Sequence, residues 1–513
     1  MPPTASESYT IPPYAASGPG APAQSPGLGT EARIPKLLWP AVLAIVLAVG
    51  VLTVRISPVL WQDEAQIVEW GRVALEPHTT WSMNWTAADK PEPLIAVAGA
   101  LLQELCLRLG GLSPLGPRLA ALVGALIAAT LFLVWLRKRA TPPWIAVALA
   151  AMLLVDPIMA QSYKGGRVDS LALSFVFAAC LAWRCWRRFG SWAAGSLIAA
   201  SIYVWPGVFL GAPLVAVEIL ESVWLTRRRD GWRAASKPVL AFTGGLAATA
   251  AVLGALAWGM QASLLGLPLE IVNSMYSAHA GENVQYAGTS TVAALLTTMR
   301  TSPLLWLSAM ACCWFRAARL VTLAAALSWA IVLSTLVYSF RVLYLTPFAL
   351  VILATALSNG FAARWRRARL ALVLLPLVLG SVATLVLRPA VALTERRGRD
   401  PDIVFDLARK WIGPGPHLVY LEAWEFYYPG RQLGWHMYNP YGLEKSHRAK
   451  ILARVDYAIV GVKSAEKLAS TQPWGGWRVQ ASFSPESRAV MASRVGRGIG
   501  AVPYGPYVLL RRQ

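Results

Sequence analysis

Long apolar runs separated by short polar segments fill the chain between residues 37 and 390. A helix needs roughly 20 apolar residues to cross the hydrocarbon core of a bilayer. The pattern therefore predicts a mainly α, polytopic transmembrane domain over residues 37–390, with about eleven spans. We place the spans at residues 37–56, 119–136, 143–160, 169–184, 191–205, 207–225, 238–260, 301–315, 319–338, 342–359 and 370–387.

Basic residues give these spans an orientation, because Lys and Arg accumulate in the cytoplasmic loops of membrane proteins. Arg33 and Lys36 precede the first span and place the N-terminus in the cytoplasm. The run at 94–109 is short and contains charged residues, so we interpret it as an interfacial amphipathic helix. Every cytoplasmic connection then carries a basic cluster, at residues 137–139, 184–188, 227–229, 316–319 and 364–369. The external segments are 57–118, 161–168 and 261–300, together with short turns at 205–206 and 339–341.

The two ends of the chain have a different pattern from the apolar middle. Residues 1–36 are rich in Pro, Ala, Ser and Gly without apolar periodicity, which predicts a disordered cytoplasmic tail. In residues 395–513, short β-rich runs at 417–421 and 457–462 alternate with helical patterns. This alternation predicts a C-terminal α/β domain. An odd number of spans places that domain outside the cytoplasm.

Composition agrees with a membrane protein, since 56% of the residues are hydrophobic and 14% are charged, against about 25% charged residues in soluble domains. The net charge of +21 would suggest nucleic acid in a soluble protein. The cytoplasmic basic clusters explain that charge, so we predict no nucleic-acid partner. The five cysteines lack paired spacing and the five histidines lack metal-ligand spacing, which argues against structural disulfides and a zinc site.

The first external segment contains two groups of charged residues that could carry chemistry. Asp63 and Glu64 follow the first span, where a carboxylate could deprotonate an acceptor hydroxyl or hold a divalent cation. They could equally complement the dipole of a helix that begins there. Further along, Lys90 precedes the interfacial helix at the level of a lipid phosphate, although the prolines beside it also simply start a helix.

Two later external segments carry basic residues, although basic residues usually accumulate in cytoplasmic loops. Lys164 and Arg167 flank two glycines, which favours phosphate binding close to the backbone. Asp169 follows them, either as part of that site or as the cap of the next helix. Arg341 lies at the outer end of a late span, three residues before Tyr344, and snorkelling towards the headgroups is its alternative role.

The order of these motifs resembles the GT-C glycosyltransferases, most closely the branch of protein O-mannosyltransferases and aminoarabinose transferases. Asp63-Glu64-Ala65 matches the Asp-Glu-Ala signature that follows the first span in that family. The stretch from Lys90 to Leu94 matches its Lys-Pro-Pro-Leu stretch, with Glu92 inserted between the prolines. Asp169 matches its second external acid. The resemblance covers nearly all of residues 37–390 and, more loosely, the C-terminal part.

The resemblance implies an enzyme of the bacterial inner membrane that works on its extracytoplasmic face. It would move a sugar from a polyprenyl-phosphate donor to a hydroxyl of a glycan, lipid or protein acceptor, with inversion. Asp63 would be the base, with Glu64 and Asp169 as the other catalytic acids. A divalent cation, if used, would involve Asp63 and Asp169. The residues implied for the donor phosphate are Lys90, Lys164, Arg167, Arg341 and Tyr344.

Two alternatives compete with this interpretation. A flippase or transporter of lipid-linked glycans would place ionisable residues or helix breaks near the middle of the membrane. Glu218 and the break at residues 205–207 are the best matches to that expectation. A binding module, with the C-terminal domain recruiting glycan, would not need so many spans.

Overall fold

Helices form most of the part of the chain that the computed structural model describes. This part comprises residues 37–76, 97–185, 189–260, 292, 295–296, 299–313, 318–334, 339–358, 366–438, 452–470, 476–485 and 503–513. The predicted tail at 1–36 and Lys90 lie outside it. The N-terminal helices are Leu38–Thr53 (α1), Gln62–Leu75 (α2), Val97–Leu109 (α3), Leu115–Lys138 (α4), Pro143–Val155 (α5), Pro157–Lys164 (α6), Asp169–Cys185 (α7), Gly190–Val204 (α8) and Pro213–Met260 (α9).

The second half of the helical domain follows the same apolar pattern. Its helices are Pro303–Cys313 (α10), Arg319–Ser334 (α11), Ser339–Val342 (α12), Thr346–Ser358 (α13), Arg366–Ser381 (α14) and Arg388–Thr394 (α15). A π-helical turn, Val382–Leu387, joins α14 to α15. Large apolar side chains of α14 remain exposed, including Leu374, Leu375 and Val378. An apolar face of this kind on the outside of a helical domain fits contact with lipid.

Four helical stretches in the described residues are long and apolar enough to cross a membrane, and a bent pair, α5 with α6, would make a fifth. They are Leu115–Lys138, Pro206–Ala257, Phe340–Ser358 and Leu370–Thr394. Three shorter helices, α1, α8 and α11, are also apolar. The chain is therefore an integral membrane protein, as predicted, but the count of eleven spans is not confirmed.

Two predicted spans differ locally from the continuous helices expected. The span at 143–160 is broken by Asp156 and Pro157, and α5 and α6 meet there at an angle of 55°. Asp156 Oδ1 accepts hydrogen bonds from the amides of Ile158 and Met159, at 3.0 and 3.1 Å, and so caps α6. The span at 207–225 begins with a 3-10 turn, Pro206–Leu210, and continues in α9 from Pro213. The backbone of α9 is non-helical at Gly231, so two helices meet there, between the predicted spans 207–225 and 238–260.

A cluster of charged residues joins the ends of α4, α7 and α9. Glu218 is buried and accepts hydrogen bonds from Trp135 at 3.0 Å and from Arg184 at 2.8 Å. Arg139 forms a further ion pair with Glu218. The contacts explain a buried acid on an apolar helix without a transport role, because each charge has a partner.

The C-terminal part combines helices with a five-stranded sheet, in agreement with the predicted α/β pattern. Its helices are Arg396–Arg399 (α16), Asp402–Trp411 (α17), Tyr427–Leu433 (α18) and Val462–Ser470 (α19). Its strands are Leu418–Leu421 (β1), His436–Tyr438 (β2), Tyr457–Val460 (β3), Trp477–Phe483 (β4) and Tyr507–Arg512 (β5). The order is β2-β1-β3-β5-β4. Strands β2, β1 and β3 are parallel, whereas β5 runs antiparallel to both β3 and β4.

The sheet domain and α2 share one hydrophobic core. Leu60, Ala65 and Val68, from α2 and the turn before it, are buried together with the aromatic side chains Phe426 and Tyr427. The hydroxyl of Tyr504 also accepts a hydrogen bond from the Leu60 amide at 3.2 Å. The helix that carries Asp63 and Glu64 is therefore held between the helical domain and the sheet.

Candidate active site

The start of α2 is fixed against the turn between α6 and α7. Trp61 precedes α2 in an extended conformation, and its indole Nε1 donates to the carbonyl of Gly165 at 3.2 Å. A Cβ atom on Gly165 would lie 2.9 Å from that nitrogen, so the close approach requires glycine. From α3, Gln103 donates to the carbonyl of Gly166 at 2.9 Å. The predicted external segments 57–118 and 161–168 are therefore in contact, as a site shared by their motifs requires.

Glu64 is buried in an ion pair rather than exposed to a substrate. Its carboxylate accepts two hydrogen bonds from Arg118, both at 2.8 Å, and both side chains are fully buried. The remaining Arg118 nitrogen donates to the carbonyls of Val54 and Pro58, at 2.8 Å each. The pair thus ties α2 and the end of the first helix to the start of α4. The sequence analysis missed Arg118, whose only signal was a base at a predicted external end of a span.

Asp169 is the centre of a saturated hydrogen-bond network at the start of α7. It is fully buried, and its Oδ2 accepts from Ser162 at 2.9 Å and from Arg167 Nε at 2.6 Å. Its Oδ1 accepts from the hydroxyl of Tyr344 at 2.9 Å and from Arg167 at 3.3 Å. Each oxygen thus accepts two hydrogen bonds, which uses the capacity of a carboxylate. Asp169 is therefore placed to orient Arg167 and Tyr344.

Arg167 bridges the acids of the two segments. Its guanidinium is buried, and it forms ion pairs with Asp169 and, through Nη1, with Asp63. The guanidinium carbon lies 4.1 Å from the ring centre of Phe340 and 5.0 Å from that of Trp205. Aromatic faces favour a cation at such distances. Asp63 keeps 22% of its side chain exposed, whereas Asp169 is fully enclosed.

The structure thus brings together four of the residues singled out from the sequence: Asp63, Arg167, Asp169 and Tyr344. The Arg167 guanidinium occupies the position between Asp63 and Asp169 that a shared divalent cation would need, so these two acids do not fit a metal site as they stand. The part of the chain described above contains no group of three His, Cys, Asp or Glu side chains that could hold a metal.

The other residues implied for the donor phosphate lie elsewhere. Lys164 is buried at the end of α6, and its ammonium donates to the carbonyl of Thr384 at 3.4 Å rather than to an acid of the Asp63 network. Arg341 is half-buried in α12, next to Phe340, which packs on the Arg167 guanidinium. Lys90 belongs to the segment between α2 and α3 that is outside the described residues.

A closed ring of hydrogen bonds and ion pairs connects α2, α3 and α18 behind this site. We call this set of seven side chains the ionic ring. Each side chain contacts the next, and the last contacts the first, in the order Glu69, Arg72, Glu76, Arg108, Glu104, Arg431 and Tyr427. Three acids and three arginines balance in charge. Glu69, Glu104 and Arg72 are buried, whereas the side chains of Glu76 and Arg108 are 40% and 39% exposed, so the ring extends from the interior to the surface.

The sequence matches no family model and no curated protein. Among solved structures, it is similar to ArnT from Cupriavidus metallidurans bound to undecaprenyl phosphate, with a TM-score of 0.59 and 13% identity over 93% of this chain and 98% of that one. The apo state of the same protein gives a TM-score of 0.55 and 12% identity, over 92% and 97% of the two chains. At such low identity the similarity establishes the fold. The chain therefore has the fold of ArnT.

Proposed function

We propose that this protein is an integral-membrane glycosyltransferase that moves a sugar from a polyprenyl-phosphate donor to an acceptor hydroxyl. The observation that carries the proposal is the Asp63–Arg167–Asp169 bridge, which joins two acids of the GT-C pattern across two segments of a chain with the ArnT fold. The ArnT structure with bound undecaprenyl phosphate supports a lipid-phosphate donor. The acceptor belongs to the glycans, lipids or proteins of the cell envelope.

In this proposal Asp63 is the catalytic base. Its carboxylate takes the proton of the acceptor hydroxyl while the hydroxyl oxygen forms a bond to the anomeric carbon. The bond from that carbon to the phosphate oxygen breaks, and the polyprenyl phosphate leaves with the bonding electrons. Attack opposite to the leaving group inverts the anomeric configuration. Asp63 suits the role because it is the acid of the bridge with an exposed surface, at 22%.

Arg167, Asp169 and Tyr344 act as positioning residues for that base. Arg167 pairs with Asp63 and orients it, and Asp169, which accepts a hydrogen bond from Tyr344, holds Arg167 in place. Glu64 positions α2 through Arg118. The departing phosphate needs a nearby cation. We assign that task to Lys164 rather than to Arg167, which two acids share, and keep Lys90 and Arg341 as further candidates from the order of the motifs.

The proposal places the reaction on the extracytoplasmic face of a bacterial inner membrane. The basic clusters that follow the predicted spans support this orientation. The sheet domain lies on the same side, where it packs on the helix that carries Asp63. A transport role has less support, since Glu218, its best candidate, is neutralised by Arg139 and Arg184.

The test is sugar transfer by purified protein in lipid nanodiscs supplied with polyprenyl-phosphate sugars and a lipid or glycan acceptor. We expect Asp63→Asn to lower kcat by 10²-fold to 10⁴-fold, roughly the share of a general base. The control is Asp406→Asn, which removes an acid that is 74% exposed on α17. Equal rates for Asp63→Asn and the wild type would remove Asp63 from the role of base. Movement of the lipid across the bilayer without any transfer would replace the enzyme by a flippase.

A further inference from the structure

The chain leaves its helix between α8 and α9 at residues 205–207, a break to which the proposed function gives no role. Trp205 ends α8 in an extended conformation, with φ −161° and ψ 122°, and a 3-10 turn starts at Pro206. In transporters such breaks form substrate sites. Here the indole of Trp205 lies on the guanidinium of Arg167, whose central carbon is 5.0 Å from the ring centre. The break therefore brings an aromatic ring to the centre of the candidate site.

A second ring lies on the same guanidinium. The ring centre of Phe340, in α12, is 4.1 Å from the Arg167 guanidinium carbon, and the two residues are only 1% and 4% exposed. The N–H groups of a guanidinium lie in its plane. The ion pairs of Arg167 with Asp63 and Asp169 therefore use the edge of the group, and its faces remain for aromatic contact. The rings stabilise the cation without taking an N–H group from either acid.

Both rings are fixed by tryptophans at the two ends of α2. Trp61, directly before α2, packs on Phe340 with the ring centres 5.4 Å apart. Trp70, within α2, stacks on Trp205 with the ring centres 6.0 Å apart and an angle of 22° between the planes. We call these four side chains the aromatic clamp. Because the clamp begins and ends on the segment that carries Asp63, packing as well as charge fixes the Arg167 guanidinium relative to that acid.

Gly207 leaves room for the clamp and for Tyr344. A Cβ atom at Gly207 would lie 2.8 Å from Cε2 of Tyr344 and 3.1 Å from Cδ1 and Nε1 of Trp205. Such a close approach of two rings to the backbone needs glycine. Tyr344 in turn donates to Asp169 at 2.9 Å. The break at 205–207 thus places one ring on Arg167 and lets another residue reach the acid that holds Arg167.

We propose that Phe340 and Trp205 are positioning residues, which hold the Arg167 guanidinium by its faces so that its edge stays on Asp63 and Asp169. The inference deepens the proposed function, on which it rests for the role of Asp63 as the base. Phe340 and Trp205 act on that base through Arg167. A reacting group misplaced by about 1 Å can lose about 10²-fold in rate, so a fixed guanidinium matters to catalysis.

The first experiment replaces Phe340 by phenylalanines that carry one, two or three fluorine atoms on the ring. Fluorine withdraws electrons from the ring face and weakens its attraction for a cation, while the shape of the side chain changes little. We expect kcat for sugar transfer to fall stepwise, about tenfold in all, with the KM for the acceptor near the wild-type value. Phe348 is the matched control, because it is also 1% exposed and packs in the apolar core of the helical domain. Equal kcat values for all forms of Phe340 would overturn the inference.

Substitutions at the break test the second ring. We expect kcat to fall about tenfold in Trp205→Leu and to stay within about threefold of the wild type in Trp205→Phe, which keeps an aromatic face. Trp192→Leu, at a tryptophan of α8 that is 47% exposed, is the control. Gly207→Ala should lower kcat by displacing Trp205 or Tyr344. Gly244→Ala, where no described atom lies within 4 Å of the Cβ position, should not. Equal losses in Trp205→Leu and Trp205→Phe would show that the aromatic face is not what matters, and would overturn the role of Trp205.

Hydrogen exchange at residues 160–170 tests the clamp without any transfer reaction. We expect the amides of the α6–α7 turn to exchange faster in the trifluorinated Phe340 protein and in Trp205→Leu than in the wild type. The fluorinated protein keeps the shape of the ring, so it carries the comparison if Trp205→Leu does not fold. Exchange that matches the wild type in both proteins would overturn the inference.

These measurements separate the inference from the proposed function. If Asp63→Asn abolished transfer while the fluorinated Phe340 proteins kept the wild-type kcat, the glycosyltransferase would stand and the clamp would fall. If no form of the protein transferred sugar but exchange at residues 160–170 still responded to the fluorine atoms, the contact of the clamp with Arg167 would be supported and the assignment as a glycosyltransferase would fall.

Discussion

At the scale of single residues, the candidate site is made from charges that already have partners. The sequence predicted Asp63, Arg167 and Asp169 as one site because charge register put them on one side of the membrane. It did not predict the pairing of Glu64 with Arg118, 54 residues away. Such a pair depends on how the spans pack, and no local spacing encodes it. The distinction between Asp63 and Glu64, adjacent acids with different surroundings, therefore needed the structure.

Tyr344→Phe tests the chain of contacts behind the base. The change removes a hydrogen bond to a buried carboxylate, which is worth about 1.5–3 kcal/mol. We expect kcat to fall tenfold or more while the KM for the acceptor stays near the wild-type value. Tyr203→Phe is the control, since Tyr203 is a half-buried tyrosine that donates to a helix carbonyl at 3.1 Å. An unchanged kcat for Tyr344→Phe would exclude a positioning role.

Glu64→Gln should act on stability more than Asp63→Asn does. It leaves the Arg118 guanidinium buried opposite a neutral side chain, and breaking a buried ion pair costs about 3–5 kcal/mol. We expect a clear fall in the unfolding temperature in detergent, measured by intrinsic fluorescence. The double variant with Arg118→Met should lose less than the sum of the two single changes. Additive losses would contradict a direct pairing.

At the scale of helices and strands, apolar periodicity predicted where helices form better than how many cross the membrane. Among the described residues, helices lie at or near each predicted span, yet 143–160 is bent at Asp156 and 207–225 begins with a 3-10 turn before α9. Helix existence follows from composition, whereas bends follow from caps and from single glycine or proline residues. The strands β1 and β3 were predicted from their β-rich runs, but the sheet order depends on contacts distant in sequence.

The ionic ring predicts that α18 stabilises α2 and α3. Arg431→Gln removes two hydrogen bonds at 2.9 Å to the buried Glu104. We expect faster hydrogen exchange in α2 and α3, and a lower unfolding temperature, without a change in oligomeric state. Arg409→Gln, at a position 61% exposed on α17, provides the comparison. Exchange rates in α2 and α3 that matched the wild type would show that the shared apolar core suffices.

At the scale of the whole molecule, the sheet domain and the helical domain are joined through α2, so a change in the sheet should alter the unfolding of the entire chain. The predicted domain division at residue 395 followed from composition, and nothing in composition indicated that the two parts would share a core. The extent of that contact depends on how the two parts pack, because its buried side chains come from both sides of residue 395.

Glu425 gives this coupling a dependence on pH. Burial raises the pKa of Glu425 to about 7, from an ordinary value of 4.5, although the hydrogen bond from the Tyr507 hydroxyl acts in the opposite direction. The unfolded chain loses this proton first as pH rises, so the contribution of Glu425 is greatest below about pH 4.5 and falls until about pH 7. We expect Glu425→Gln to raise the unfolding temperature at pH 8 and to change it little at pH 4.5. An equal shift at both pH values would rule out titration of Glu425 as the cause.

The closure of the ionic ring has a consequence for how this protein evolves. Every charged member contacts two others, so losing one leaves two neighbours short of a partner. Single substitutions should therefore be selected against, while reciprocal exchanges, such as one that alters Glu104 and Arg431 together, can survive. An alignment of relatives should show these positions covarying across more than 300 residues of sequence, as the separation of 327 between Glu104 and Arg431 implies. Relatives that lack the sheet domain should have lost the buried charges of α2 and α3 as a group.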